Sequence, residues 1–237
     1  MSEPLAGSAV SYVIWTDIPA EREDEFNEWY NREHAPDRVL GIPGFIQARR
    51  FVAVEGAPKY AAWFDVAGPE VFKNEAYMAM RRTPDPRSQQ FIPLFRNVIR
   101  FIGRPVADAM GARGKGISEG SWVRFAAFKA SAPSEGEVRA WSEFAAALVL
   151  RPGIVRARVF RAMPELLDGA VRNMRGTTRE GLRGPDRLGD ALVMIEGATD
   201  SQLADIETDL AGALSARPDW TPLGSARMRQ LMRVAKP

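Results

Sequence analysis

One strand-like pattern occurs twice in this chain of 237 residues. Residues 43–53 read Pro-Gly-Phe-Ile-Gln-Ala-Arg-Arg-Phe-Val-Ala, and 152–162 read Pro-Gly-Ile-Val-Arg-Ala-Arg-Val-Phe-Arg-Ala, identical at six of eleven positions. A Pro-Gly turn followed by β-branched and aromatic residues marks a strand leaving a turn. Its return in the second half of the chain implies a duplicated unit, and the neighbouring segments repeat in the same order.

In the first half the pattern predicts a strand over 10–16. A helix then opens at Asp17-Ile18-Pro19, carries Glu21, Glu23, Asp24 and Glu25 in its first turns, where the helix dipole favours acids, and ends at Ala35-Pro36. Strands over 45–54 and 59–66 follow, joined by a turn at 55–58. A second helix runs from 69 to about 80, a polar loop over 81–90, and a strand over 97–102. This is the β-α-β-β-α-β order of the ferredoxin-like arrangement. A Gly-rich stretch at 108–120 reads as a linker. The order then restarts: strand 122–128, helix 134–150, strand 153–162, an Arg- and Gly-rich loop over 163–188 with a short helix at 165–174, strand 191–196, helix 200–214 and strand 226–234. The fold class is α+β, two tandem ferredoxin-like units over 9–106 and 121–235 with a linker at 107–120.

Strand parity sorts the side chains. Ile46, Ala48, Arg50 and Val52, with Val155, Ala157, Val159 and Arg161, are predicted to pack on the helices. Phe45, Gln47, Arg49 and Phe51, with Ile154, Arg156, Arg158 and Phe160, are predicted to face the other side of the sheet. That side must be covered, by the other unit or by another chain.

Composition removes many function classes. There are no cysteines, which excludes disulfides, thiolate catalysis and cysteine metal sites, and a single histidine excludes most zinc sites. Net charge is +2 with no basic run interleaved with aromatics, so a nucleic-acid partner is not expected. No apolar stretch is long enough for a membrane span, and the first residues do not form a signal peptide, so the expectation is a cytoplasmic protein with no membrane association. No dinucleotide, phosphate-loop or nucleophile-elbow motif stands in the chain, and neither a metal nor a cofactor is called for.

The histidine is His34. Phe26, Tyr30 and His34 are spaced four apart and share one helix face, flanked by Trp29 and Glu33. An imidazole titrates near neutrality and can take and return a proton, so His34 is the candidate general acid–base, with Tyr30 beside it. The alternative is a helix-terminal histidine satisfying a backbone carbonyl. Tyr12 and Tyr60 are further candidate hydroxyl donors to an enolate or phenolate, against ordinary core tyrosines. Arg49 and Arg158 are candidates to hold a carboxylate or phenolate, against pairing with acids across the sheet. Trp15, Trp63 and Trp122 suit an aromatic cavity or a plain core. Glu33 and Asp37 flank His34 and are candidates to orient it, against a solvated Glu33 and an Asp37 paired with Arg38. The second copy is three residues shorter between its Trp141 and Pro152 and has Ala or Leu where the first has Arg-Glu-His, so one active pocket per chain is expected.

Trp29-Tyr30, His34, Pro36 and the Ile42-Pro43-Gly44-Phe45 turn before Ala48-Arg49-Arg50 resemble the EthD-like family of the dimeric α/β-barrel superfamily. The resemblance covers about 10–105, and topology and the Pro-Gly strand extend it over 120–235. It implies two four-stranded sheets closing face to face around a cavity, within one chain or in a homodimer. It also implies a small-molecule substrate and chemistry ranging from cofactor-free cyclases and muconolactone-type isomerases to monooxygenases and haem-binding relatives. Haem-binding relatives with two units per chain use a histidine in the second unit, and this second unit has none. Three functions stay open: a cofactor-independent isomerase, lyase or cyclase acting on a small aromatic or polyketide-like carbonyl compound in the barrel cavity, into which His34 is expected to point as general acid–base; a haem- or flavin-assisted oxygenase; and a ligand-binding module without catalysis.

Overall fold

Two strands are far longer than the pattern predicts, and they make the architecture. The computed structural model describes residues 10–111, 120–166 and 185–237. Its strands are β1 (Val10–Asp17), β2 (Phe45–Ala57), β3 (Tyr60–Val66), β4 (Arg96–Met110), β5 (Trp122–Lys129), β6 (Ile154–Ala162), β7 (Arg187–Leu188), β8 (Ala191–Gly197) and β9 (Thr221–Ala235). The first part of β4 pairs with β1 and its second part with β6; β9 pairs with β5 through its first part and with β2 through its second. Each unit therefore lends a strand to the other. The strands run β1-β3-β2-β9-β5-β8-β6-β4 and return to β1, an antiparallel barrel closed within one chain, with β7 added parallel to β4. Closure consumes the sheet edges that a lone ferredoxin-like unit exposes.

Residues 108–110, read from sequence as linker, belong to β4. The proline at 105 sits at a register shift, where a missing N–H costs no ladder bond. Residues 112–119 and most of the short helix expected at 165–174 lie outside the described residues.

The helices depart from the sequence pattern in instructive ways. The first does not end at Ala35-Pro36. It comprises α1 (Glu23–Trp29), a π-helical turn (Tyr30–His34) and α2 (Ala35–Gly41). The segment expected as a loop over 81–90 carries the end of α3 (Glu75–Arg82) and most of α4 (Pro86–Phe91). Asp85 starts α4 by accepting the Ser88 backbone N–H at 2.8 Å, with Pro86 in the first turn, so proline opens this helix rather than breaking it. In the second unit α5 (Glu135–Leu148) begins on a Ser134 cap, and the helix expected over 200–214 is split into α6 (Asp200–Ala204) and α7 (Glu207–Ser215).

Both Pro-Gly turns have glycine at positive φ, 89° at Gly44 and 79° at Gly153, which explains the repeated residue. Just after each turn the register shifts, between Phe45 and Gln47 and between Ile154 and Arg156. The shift turns Phe45 and Ile154 to the helix side, against the simple parity reading, while Ala48, Arg50 and Arg49 obey it.

The barrel interior is filled, not hollow. Trp15, Phe51, Trp63 and Phe101 from the first unit meet Phe125, Phe160, Met194 and Met228 from the second, all fully buried. Trp63 stacks on Phe125 with ring centroids 5.7 Å apart and meets Phe160 edge-on at 5.0 Å. Among these rings Arg49 Nη1 donates to Glu196 Oε2 at 2.9 Å, and Arg158 Nη2 donates to Glu196 Oε1 at 2.6 Å. The Gly120 N–H also reaches Glu196, at 3.0 Å. Burial works against the charge on Glu196, but the two guanidiniums outweigh it and hold the carboxyl below its ordinary range. One carboxylate thus ties β2 to β6 and β8 across the barrel.

Replacing Glu196 by Gln removes the carboxylate that two buried guanidiniums share and is expected to cost about 3–5 kcal/mol in denaturant unfolding. Glu55→Gln, at the exposed pair with Arg227, should change stability by less than about 1 kcal/mol. Equal effects at the two positions would contradict this placement of the interior charges.

Candidate active site

The helix-facing side of the first sheet buries an unusual amount of polarity. Its core holds Tyr12 and Tyr60 from the sheet, Phe26, Trp29 and Tyr30 from the first helical segment, and Tyr77 and Phe91 from α3 and α4. His34 lies buried in the same layer. The local backbone accounts for this gathering. Pro36 has no N–H to offer the carbonyl one turn back, and the chain passes this point by widening: the Ala35 N–H bonds Tyr30 O, five residues earlier. The wide turn keeps Tyr30 and His34 on one side, ring centroids 4.6 Å apart, with Trp29 4.2 Å from the imidazole.

Arg50, next along β2 from the interior Arg49, enters this layer from the sheet. Its guanidinium lies 4.3 Å from the Tyr30 ring and 4.9 Å from Phe26, and it donates to Asn31 Oδ1 at 2.6 Å and Asn27 Oδ1 at 3.1 Å. Asn27 in turn donates to the Tyr60 hydroxyl at 3.2 Å. On β4, Arg100 donates to the Tyr12 hydroxyl and, at 2.7 Å, to Asp186.

These contacts set the protonation states. Burial, with Arg38 and Arg50 nearby, holds the His34 imidazole well below its ordinary 6.5, so it is neutral at pH 7. Burial pushes the Tyr30 phenol up to about 12, so it keeps its proton. Burial pulls Arg50 down to about 10, still cationic. Tyr30 Oη, Trp29 Nε1 and Arg50 Nε have no hydrogen-bond partner among the described residues. Buried polar atoms are rarely left so. A neutral base, a phenol donor and a fixed cation around one point can move a proton and stabilise the oxyanion that results.

The residues singled out from sequence fall into two groups on opposite faces of the sheet. His34, Tyr30, Tyr12 and Tyr60 share the helix-side layer. Arg49, Arg158 and Trp15 are inside the barrel, where the arginines pair with Glu196, as their plainer reading had it. His34 accordingly does not enter the barrel interior. Glu33 turns to Arg87 rather than orienting the imidazole; Ser88 Oγ does so, 3.2 Å from His34 Nδ1. Sequence reasoning passed over Arg50, Arg100, Ser88 and Asn27. The signal for Arg50 was present, since parity sets a charged residue on the apolar, helix-facing side. Ser88 sits in a segment read as loop, so nothing marked it.

The fold has solved counterparts. An anthrone oxidase-like protein superposes with a TM-score of 0.64 at 10% identity, covering 98% of this chain and 94% of that one. A monooxygenase candidate from Fusobacterium nucleatum gives 0.58 at 8% identity over 98% and 96% of the two chains. A mutant chlorite dismutase from Candidatus Nitrospira defluvii gives 0.50 at 8% identity over 96% and 94%. The fold is that of the dimeric α/β barrel. No protein-family model matches the sequence, and no curated protein does.

The two units of this barrel are chemically unequal. All four tyrosines and the histidine stand in the first, and none in the second. The second unit's helix-side layer is occupied by Phe128, Trp141 and Trp220. The second unit has no His, Tyr or Cys. Among the described residues no three His, Cys, Asp or Glu are grouped to hold a metal, and no helix is long and apolar enough to cross a membrane.

The depressed His34 has a measurable consequence. Between its folded pKa and 6.5 the unfolded chain binds a proton that the folded chain does not, so stability falls as pH is lowered through that window. Relative to His34→Gln, in which every other titrating group is shared, the native protein should lose up to about 1.4 kcal/mol per pH unit below pH ~6.5. Parallel stability curves from pH 8 to 5 for the two proteins would show the imidazole to be exposed.

Proposed function

We propose that this protein is a cofactor-independent acid–base enzyme acting on a small aromatic or polyketide-like carbonyl compound, in the helix-side layer of its first unit. The observation that carries the reading is the pairing of a buried neutral imidazole with a buried, protonated phenol that has no hydrogen-bond partner among the described residues and lies under a guanidinium. His34 takes a proton from the carbon next to the substrate carbonyl. The electrons move onto the carbonyl oxygen, and Tyr30 donates a hydrogen bond to the enolate, with Arg50 supplying positive charge behind it. The imidazolium then returns its proton to another carbon or to a leaving group, giving an isomerase, lyase or cyclase. Tyr12, held by Arg100, and Tyr60, held by Asn27, belong to the same buried layer. The Trp29-Tyr30, His34 and Pro36 pattern supports a place in the EthD-like branch. One active pocket per chain follows from the unequal units.

A second reading is favoured by the names of the counterparts, an anthrone oxidase-like protein and a monooxygenase candidate. The carbanion left by proton removal from an activated methylene is the species that dioxygen attacks. A methylene plus dioxygen then gives a ketone plus water, with His34 again as the base.

Anaerobic hydrogen–deuterium exchange at the methylene of anthrone, followed by NMR, isolates the shared first step. The native protein should accelerate exchange, and His34→Gln should lower the rate by about 10²–10⁴-fold. Tyr30→Phe should lower it by about 10²–10³-fold. Exchange that survives His34→Gln would overturn the reading. Binding without exchange in either protein would make the site a ligand-binding module. Oxygen uptake on admitting air would favour the oxygenase over the isomerase.

A further inference from the structure

Among the described residues, Arg50 is the one buried arginine without a carboxylate partner. Arg49, Arg50, Arg100, Arg158 and Arg161 are all buried. Arg49 and Arg158 share Glu196, Arg100 pairs with Asp186 at 2.7 Å, and Arg161 lies 3.5 Å from Glu137. Arg50 instead meets amide oxygens, Asn31 Oδ1 at 2.6 Å and Asn27 Oδ1 at 3.1 Å, and the rings of Tyr30, Phe26 and Tyr60. An amide satisfies the N–H groups of a guanidinium but leaves its charge in place, and an uncompensated buried charge is costly. The same layer is short of acceptors: Arg50 Nε, Trp29 Nε1 and Tyr30 Oη have no hydrogen-bond partner among the described residues, and the two nitrogens can only donate.

We infer that the missing counter-charge belongs to the ligand: the substrate is an aromatic carboxylate whose anion sits against Arg50, and Asn27 and Asn31 are positioning residues that hold the guanidinium without neutralising it. The inference deepens the reading of this layer as the active site and rests on it. A carboxylate offers two oxygens to the planar fork of a guanidinium, where a phenolate offers one. It stays ionised and takes no part in the proton transfer, and by engaging Arg50 it leaves the Tyr30 hydroxyl for the carbonyl oxygen. Asparagine and aspartate have nearly the same shape, so an aspartate at 27 or 31 would supply the counter-charge from within the protein and compete with such a ligand. Both positions are half-buried beside the guanidinium, so either exchange can be made without opening the core.

Three matched probes, 4-nitrobenzoate, 4-nitrobenzamide and 4-nitrophenolate, titrated into the whole protein by calorimetry in mildly alkaline buffer, test this. The native protein should bind the benzoate at least about 10-fold more tightly than the benzamide, and more tightly than the phenolate. Asn31→Asp should weaken the benzoate by at least about 10-fold and leave the benzamide within about 2-fold. Its denaturant midpoint should not fall, because the added carboxylate faces a guanidinium. Arg50→Met should bind benzoate and benzamide alike. Undetectable binding of the benzoate, equal affinity of the native protein for benzoate and benzamide, or tighter binding of the phenolate would overturn the inference. So would an Asn31→Asp protein that keeps the native preference, or one that loses both ligands together with stability, which would make Asn31 merely structural. None of these titrations requires turnover, so they stand or fall separately from the proton exchange of anthrone, which carries no carboxylate.

Discussion

Closure of the barrel is the constraint from which the rest follows. Once β4 and β9 are shared between the units, each sheet has one face sealed inside and one face against helices. Adjacent residues of β2 are then sent to different worlds. Arg49 goes in, where Glu196 and the aromatic rings compensate its burial, and Arg50 goes out, under the Tyr30 ring. The interior pair ties the two units together, and the exterior cation lies among the tyrosines and asparagines of the first.

The division of labour between the units is a matter of residue supply more than of shape. Both present a sheet face to helices, and both enter their second strand through a glycine at positive φ. Only the first fills the space between with groups that donate, accept and titrate. In the second, Trp141 and Trp220 lie 5.1 Å apart and Phe128 lies 5.1 Å from Trp220, so aromatic packing occupies the equivalent layer. Such an arrangement keeps the barrel intact while leaving the titratable groups of this layer to the first unit.

Much of the fold was legible because it is written in local periodicity. The Pro-Gly repeat, the alternation in β2 and β6, and the spacing of Val138, Trp141, Ala145 and Leu148 along α5 all appear in the structure as strands and helix. What was illegible depends on partners distant in sequence. The length of β4 is set by β6, and that of β9 by β2, so no window around either strand contains the reason for its extent. The continuation of the first helix past Pro36 needs the π turn, which propensity does not foresee. The site divides in the same way. Phe26, Tyr30 and His34 were grouped by helical spacing, while Ser88 reaches His34 from 54 positions away. Interior packing also could not be read: whether Trp15 and Trp63 line a hollow or fill it depends on Phe125 and Phe160 arriving from the other unit.

The central claim is that ligand enters the layer between the first unit's helices and its sheet, not the barrel interior. A crystal structure of the protein with a bound hydroxyanthraquinone, an inert analogue of an aromatic carbonyl substrate, tests it directly. The account predicts the ligand among Tyr12, Tyr30, His34 and Arg50, with one of its oxygens on the Tyr30 hydroxyl. Density for it beside Arg49, Trp63 and Glu196, or against Trp141 and Trp220, would contradict the account.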